Sequence, residues 1–149
     1  MTAKAVVDDF IAQKTLAVVG ISRGGKKFGN MAYRELKTSG YHLYPIHPQA
    51  GILEGDRAIK DFVSLPEKVG GLLIVVPPAQ TEKIVREARK AGIRRVWMQQ
   101  GSESQAAVKY CRGNGMSEVH GECIMMFAGR SFIHKPHRWL WGLLGRLPR

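Results

Sequence analysis

Short apolar runs alternate with single amphipathic segments along nearly the whole chain, and most of the junctions carry a glycine. That alternation constrains the fold more than any other feature. Residues 15–19 (TLAVV) form the first run, and Gly20 ends it. Residues 30–39 read as a helix with Met31, Tyr33 and Leu36 inward and Gly40 just beyond its end. Residues 41–46 form a second strand, stopped by Pro48, and residues 72–76 a third, stopped by Pro77. A helix over 81–91 repeats Ile84, Val85 and Ala88 at helical spacing, with Gly92 as its cap. A strand over 94–98, a helix over 103–112 and a short last strand over 117–120 complete the pattern. Between residues 51 and 66 the signal weakens, and one edge strand near 57–61 is expected there.

Single helices between strands imply βαβ units and a parallel sheet. The strand cores are apolar throughout, as they must be when helices cover both faces. The expected fold is therefore α/β: a Rossmann-like, doubly wound, mostly parallel sheet. With right-handed crossovers the 72–76 strand pairs with the first strand, and the weak third strand lies to one side. The switch point then falls between Gly20 and Pro77, and ligands bind in the crevice at that point.

Hydrophobic residues make up 44% of the 149 and charged residues 23%, which excludes whole-chain disorder. No apolar run reaches the length of a membrane span, and Lys4, Asp8 and Asp9 break any secretory signal. Two cysteines, Cys111 and Cys123, do not make a disulfide framework or a zinc site, so a reduced cytoplasmic setting is expected. Cys111 reads as structural; Cys123 reads as a small buried residue or as a thiol near the crevice. The five histidines show no metal spacing.

Lys and Arg number 23 against 12 Asp and Glu, a net charge of +11. Five of the basic residues and none of the acidic ones fall in 130–149, which leaves +6 for 1–129. Such a surface attracts anions of any kind. No aromatic strand platform or DNA-reading motif accompanies it, so nucleic acid is not the expected partner.

The loop after the first strand reads Gly20-Ile-Ser-Arg-Gly-Gly-Lys-Lys-Phe-Gly-Asn30. Its glycines permit close backbone approach, and the following helix turns its free N–H groups toward it. Ser22, Arg23, Lys26 and Lys27 add donors and charge. A phosphate or pyrophosphate fits this loop, although it matches neither standard nucleotide fingerprint. The second strand ends Tyr44-Pro-Ile-His-Pro48, with His47 where a NAD site carries an acid. That suits a phosphorylated ribose, either the 3′-phosphate of coenzyme A or the 2′-phosphate of NADP. Glu122 is the one acid expected near the crevice, and one carboxylate is no catalytic constellation.

These segments, together with Val75-Val-Pro-Pro-Ala79, Ala91-Gly-Ile-Arg-Arg-Val-Trp-Met-Gln-Gln-Gly101 and Gly121-Glu-Cys123, resemble the small stand-alone CoA-binding proteins. Those are similar to the N-terminal CoA-binding domain of the succinyl-CoA synthetase α-subunit. The resemblance runs from about residue 14 to 125. It implies that Gly20 and the 22–28 segment, with Ser22, Arg23, Gly25, Lys26, Lys27 and Phe28, hold the CoA diphosphate. It implies that Pro45, His47, Val76, Pro77 and Pro78 flank adenine and the phosphorylated ribose, and that Gln99, Gln100 and Gly101 contact the pantetheine arm. The synthetase carries its phosphorylated histidine in a second domain, which this chain is expected to lack, so ligase activity is not carried over. The basic 23–27 loop also differs from the synthetase loop.

The expected function is a non-catalytic module binding coenzyme A or an acyl-CoA, with an NADP-binding oxidoreductase or redox sensor as the alternative. Residues 1–129 form the expected CoA-binding domain and 130–149 a basic amphipathic tail. In the tail Trp139, Leu140, Leu143, Leu144 and Leu147 share one helical face. Three roles stay open for it: packing on the domain, forming a homodimer, or lying on an anionic membrane surface, the last the least expected.

Overall fold

The computed structural model describes residues 3–49 and 51–128. Helix α1 (Lys4–Ala12) leads into strand β1 (Thr15–Val19), helix α2 (Phe28–Thr38) and strand β2 (His42–Ile46). A small hairpin of β3 (Ile52–Leu53) and β4 (Asp56–Arg57) follows. Then come β5 (Gly71–Ile74), α3 (Pro78–Lys90), β6 (Arg95–Gln99), α4 (Gln105–Gly113), β7 (Ser117–Glu122) and a single 3-10 turn at Ile124–Met126. The main sheet has the order β2-β1-β5-β6-β7, and every pairing in it is parallel. This is the expected Rossmann-like α/β fold, with β1 beside β5 as the crossover rule requires.

Strand alternation builds two apolar layers. Leu16, Val18, Leu73 and Trp97 face a layer containing Val7 and Phe10 of α1 and Tyr33 and Leu36 of α2. Ala17, Leu72, Ile74, Val96 and Met98 face the other, with Val85 and Ala88 of α3 and Ala107 and Cys111 of α4. Each such large side chain contributes roughly 1.5–3 kcal/mol when fully buried, before ordering entropy is set against it. Trp97 centres the first layer between the rings of Phe10 at 5.4 Å and Phe127 at 5.8 Å, and its Nε1 donates to the Glu122 carbonyl. Phe10 reaches the sheet only because Gly71 opens β5; a Cβ there would lie 2.6 Å from its ring.

The expected edge strand near 57–61 is replaced by two smaller devices. The β3–β4 hairpin turns at Glu54-Gly55, both at positive φ, which is the type I′ geometry that matches strand twist. Beyond it, Ile59 makes a single parallel bridge to Ile46 on the outer edge of β2. Strands of two residues are too short to show alternation, which is why the sequence pattern fades there. β5 ends at Ile74 rather than 76, and α3 begins at 78 rather than 81, because Pro78 suits a first helical turn. The 130–149 tail lies outside the described residues.

Candidate ligand groove

β1 and β5 are neighbours, but the chain leaves them in opposite directions along the sheet. Their carboxyl ends therefore open a crevice. Two joined lobes occupy it, one of about 630 Å³ and one of about 450 Å³, sharing Gly20, Lys27, Val75, Val76 and Pro77. The larger lobe adds Ser22, Arg23, His47 and Gln49. The smaller adds Phe28, Gly29, Gln99, Gln100, Gly101 and Ser102.

The floor of the groove is a close backbone seam. Gly20 sits at φ +116°, and a Cβ there would fall 2.0 Å from the Val75 carbonyl oxygen. A Cβ on Gly29 would fall 2.4 Å from the Gly20 carbonyl oxygen. Only glycine lets the ends of β1 and β5 and the start of α2 meet this closely. α2 consequently begins at the groove. Its N-cap, Lys27, supplies no side-chain hydrogen bond, and no acidic residue occupies its first turn. The first N–H groups of this helix thus face the groove without a side-chain cap, and the helix dipole adds positive potential.

Asn30 shapes the loop above this seam. It is wholly buried; its Oδ1 accepts from the N–H and hydroxyl of Ser22 at 3.0 and 2.8 Å, and its Nδ2 donates to the Ser22 carbonyl at 2.8 Å. Ser22 thus spends its donors on Asn30, leaving the backbone of 27–29 as the donor set at the helix end. Arg23 is exposed and donates to the Gln49 carbonyl at 2.9 Å, tying the loop to the turn after β2. In that turn the His47 Nδ1 accepts from the Gln49 N–H, so a neutral ring carries its proton on Nε2. Across the groove Ser102 is buried. Its hydroxyl accepts from the Val76 N–H and its carbonyl from the Thr81 hydroxyl, so the β6 exit fixes the start of α3.

Eleven of the fifteen residues expected at the site line the two lobes: Gly20, Ser22, Arg23, Lys27, Phe28, His47, Val76, Pro77, Gln99, Gln100 and Gly101. Gly25 and Lys26 stand in the same loop outside the lining. Pro45 is buried within β2, where its carbonyl accepts from the Ile59 N–H, and Pro78 is the first residue of α3. The Gln99 side chain is buried and its Oε1 accepts from the Ile124 N–H, so Gln99 closes the end of the sheet as well as lining the groove. Asn30, Gln49 and Ser102 escape a sequence reading because each works through contacts that join distant segments.

Glu122 does not line the groove. Its carboxyl is buried, Oε2 has no hydrogen-bond partner among the described residues, and burial pushes its pKa up. Cys123 packs in the α1–α2 layer. Cys111 is buried in the other, and burial, with Glu118 nearby, pushes its thiol up to about 12. Among the described residues no group of His, Cys, Asp and Glu could hold a metal ion, and no helix is long and apolar enough to cross a membrane.

A parallel sheet of this order, with a glycine loop and an uncapped helix at its switch point, defines an α/β protein of the Rossmann-like class. Residues 14–128 match the CoA binding domain family, and the chain belongs to that family. Among curated proteins it is 28% identical over 92 residues to the α-subunit of an ADP-forming acetate–CoA ligase II from Pyrococcus furiosus; the match covers 61% of this chain and 20% of that one. The chain thus spans about a fifth of that relative. Among solved structures, a conserved hypothetical protein from Pyrococcus furiosus shares 30% identity at a TM-score of 0.71, covering 75% of this chain and 97% of that one. A dinucleotide-forming acetyl-coenzyme A synthetase 1 from Ca. Korarchaeum cryptofilum shares 27% identity at a TM-score of 0.63, over 71% of this chain and 25% of that one. The resemblance drawn from the 20–30 loop and the Val-Pro-Pro and Trp-Met-Gln-Gln-Gly segments is borne out at the level of the family.

Proposed function

We propose that the groove binds coenzyme A or an acyl-CoA and that this chain acts as a binding module rather than a catalyst. The observation that carries the reading is the α2 N-terminus. It opens on the groove with no side-chain cap and no acid in its first turn, beneath a glycine loop bearing Arg23 and Lys27. A diphosphate there would accept from the backbone and gain from the dipole. The ribose phosphate would lie toward Arg23 and the His47 Nε2. The pantetheine arm would run into the lobe of Phe28, Val76, Gln100 and Gly101. Membership of the CoA binding domain family supports this over NADP. Among the described residues the lining includes no carboxylate to pair with His47 as an acid–base couple, which favours binding.

Calorimetry with four ligands tests the reading. CoA should bind at least about tenfold more tightly than dephospho-CoA, the worth of one charge-assisted contact. NAD should bind poorly. Equal affinity for CoA and dephospho-CoA would remove the role given to Arg23 and His47, and preference for NADP over CoA would replace the reading with the dinucleotide one.

A further inference from the structure

Glu54 is the one non-glycine residue at positive φ among the described residues, at +50° in the β3–β4 turn. A long acidic side chain is a poor choice for that backbone, which Asn or Gly would occupy with less strain. Its carboxylate does not point to solvent; the side chain is only 12% exposed. Oε1 accepts from Asn30 Nδ2 at 3.1 Å, and Arg34 Nη1 donates to Oε1 at 2.6 Å and Oε2 at 3.0 Å. Both partners lie on α2, and both hold the glycine loop. Asn30 makes three hydrogen bonds to Ser22, and Arg34 Nη1 donates to the Gly25 carbonyl at 3.2 Å. The hairpin therefore grips a loop rich in glycine at two points, through two side chains that one carboxylate orients.

We propose that Glu54 is a positioning residue that holds the glycine loop in its ligand-receiving shape, through Asn30 and Arg34. The proposal rests on the reading that this loop receives the CoA diphosphate. It carries a sign that simple electrostatics does not. An acid beside an anion site repels the anion, so removing its charge should tighten binding if charge were its only effect. Positioning requires the opposite, because a released loop must be ordered again when the ligand binds.

Glu54→Gly separates these outcomes, since glycine relieves the backbone strain while deleting the grip. The melting temperature should stay level or rise. Amide hydrogen exchange over 22–29 should quicken while that of 72–74 stays slow, and CoA affinity should fall about tenfold. Glu54→Gln, which retains an acceptor for Asn30, should lose less. CoA binding as tight as or tighter than that of the unaltered protein overturns the proposal, as does unchanged exchange in the loop. A lowered melting temperature with faster exchange throughout also overturns it, by making Glu54 merely structural. If the unaltered protein binds no CoA, the CoA reading fails by itself, and the loop exchange alone decides whether Glu54 positions the loop.

Discussion

Gly20 and Gly24 sit in one loop but matter for different physical reasons. At Gly20 the φ of +116° and the Val75 carbonyl, 2.0 Å from any added Cβ, leave an alanine nowhere to go without moving backbone. Gly20→Ala should therefore cost roughly 3 kcal/mol or more in chemical denaturation, as strain and overpacking combine. Gly24 has no heavy atom within 4 Å of its missing Cβ and no positive φ. Gly24→Val should shift stability by no more than about 0.5 kcal/mol. On the proposed reading it should nonetheless weaken CoA binding, because a branched side chain next to the lining residue Arg23 would crowd the approach of the diphosphate. A Gly24→Val protein that binds CoA normally would show that the 23–25 part of the loop does not face the phosphates. The sequence shows four glycines between 20 and 29 and marks them all alike. Only the meeting of β1, β5 and α2 shows which of them pack and which stay open.

At the scale of elements, the β3–β4 hairpin is fastened to α2 by a second acid as well. Asp56 accepts from the Tyr33 hydroxyl and from Lys37 Nζ at 2.9 Å. Burial alone would raise the Asp56 pKa, but the hydrogen bonds from Tyr33 and Lys37 outweigh it and hold the carboxyl below its ordinary value. Its stabilising contribution is therefore present above the unfolded pKa and is lost as pH falls through the lower, folded one. Tyr33→Phe should cost about 1–2 kcal/mol at neutral pH, and the difference from the unaltered protein should shrink below about pH 4. A pH-independent difference in melting temperature would show that the lost hydroxyl matters for packing and not for the Asp56 charge. The main sheet was legible in the sequence because β1, β2, β5 and β6 are largely apolar runs closed by turns, whereas β7, mostly polar, showed only as a short last strand. The hairpin was not, since Ile52–Leu53 and Asp56–Arg57 are too short to carry a period and are held by side chains on α2. Helix starts slipped for a related reason. The helix expected from 103 begins at Gln105, because Ser104 caps α4 by accepting from the Ala107 N–H while Ser102 braces Val76 and Thr81. Local chemistry does not distinguish two serines whose partners lie in different segments.

For the whole molecule, closure of the described fold bears on what the 130–149 segment is for. After β7 the chain turns at Ile124–Met126, buries Ile124 and Met125 in the α1–α2 layer, and sets Phe127 against Trp97. Among the described residues the α1–α2 layer is followed as far as Ala128, and the family match also ends at 128. Deleting Pro136–Arg149 removes Arg138, Arg146 and Arg149 and no acid, taking the net charge from +11 to +8. The truncated chain remains strongly cationic, so its attraction for an anionic ligand should persist, and the CoA dissociation constant should change by no more than about threefold. The same deletion removes Trp139, Leu140, Leu143 and Leu144, an apolar stripe too costly to leave in water. Solubility or oligomeric state should therefore change, as light scattering on both proteins would report. Unchanged mass and solubility would make the segment a loose basic extension. Loss of CoA binding with the melting transition intact would instead place the segment over the groove, where its arginines would serve the ligand and not a second copy of the chain.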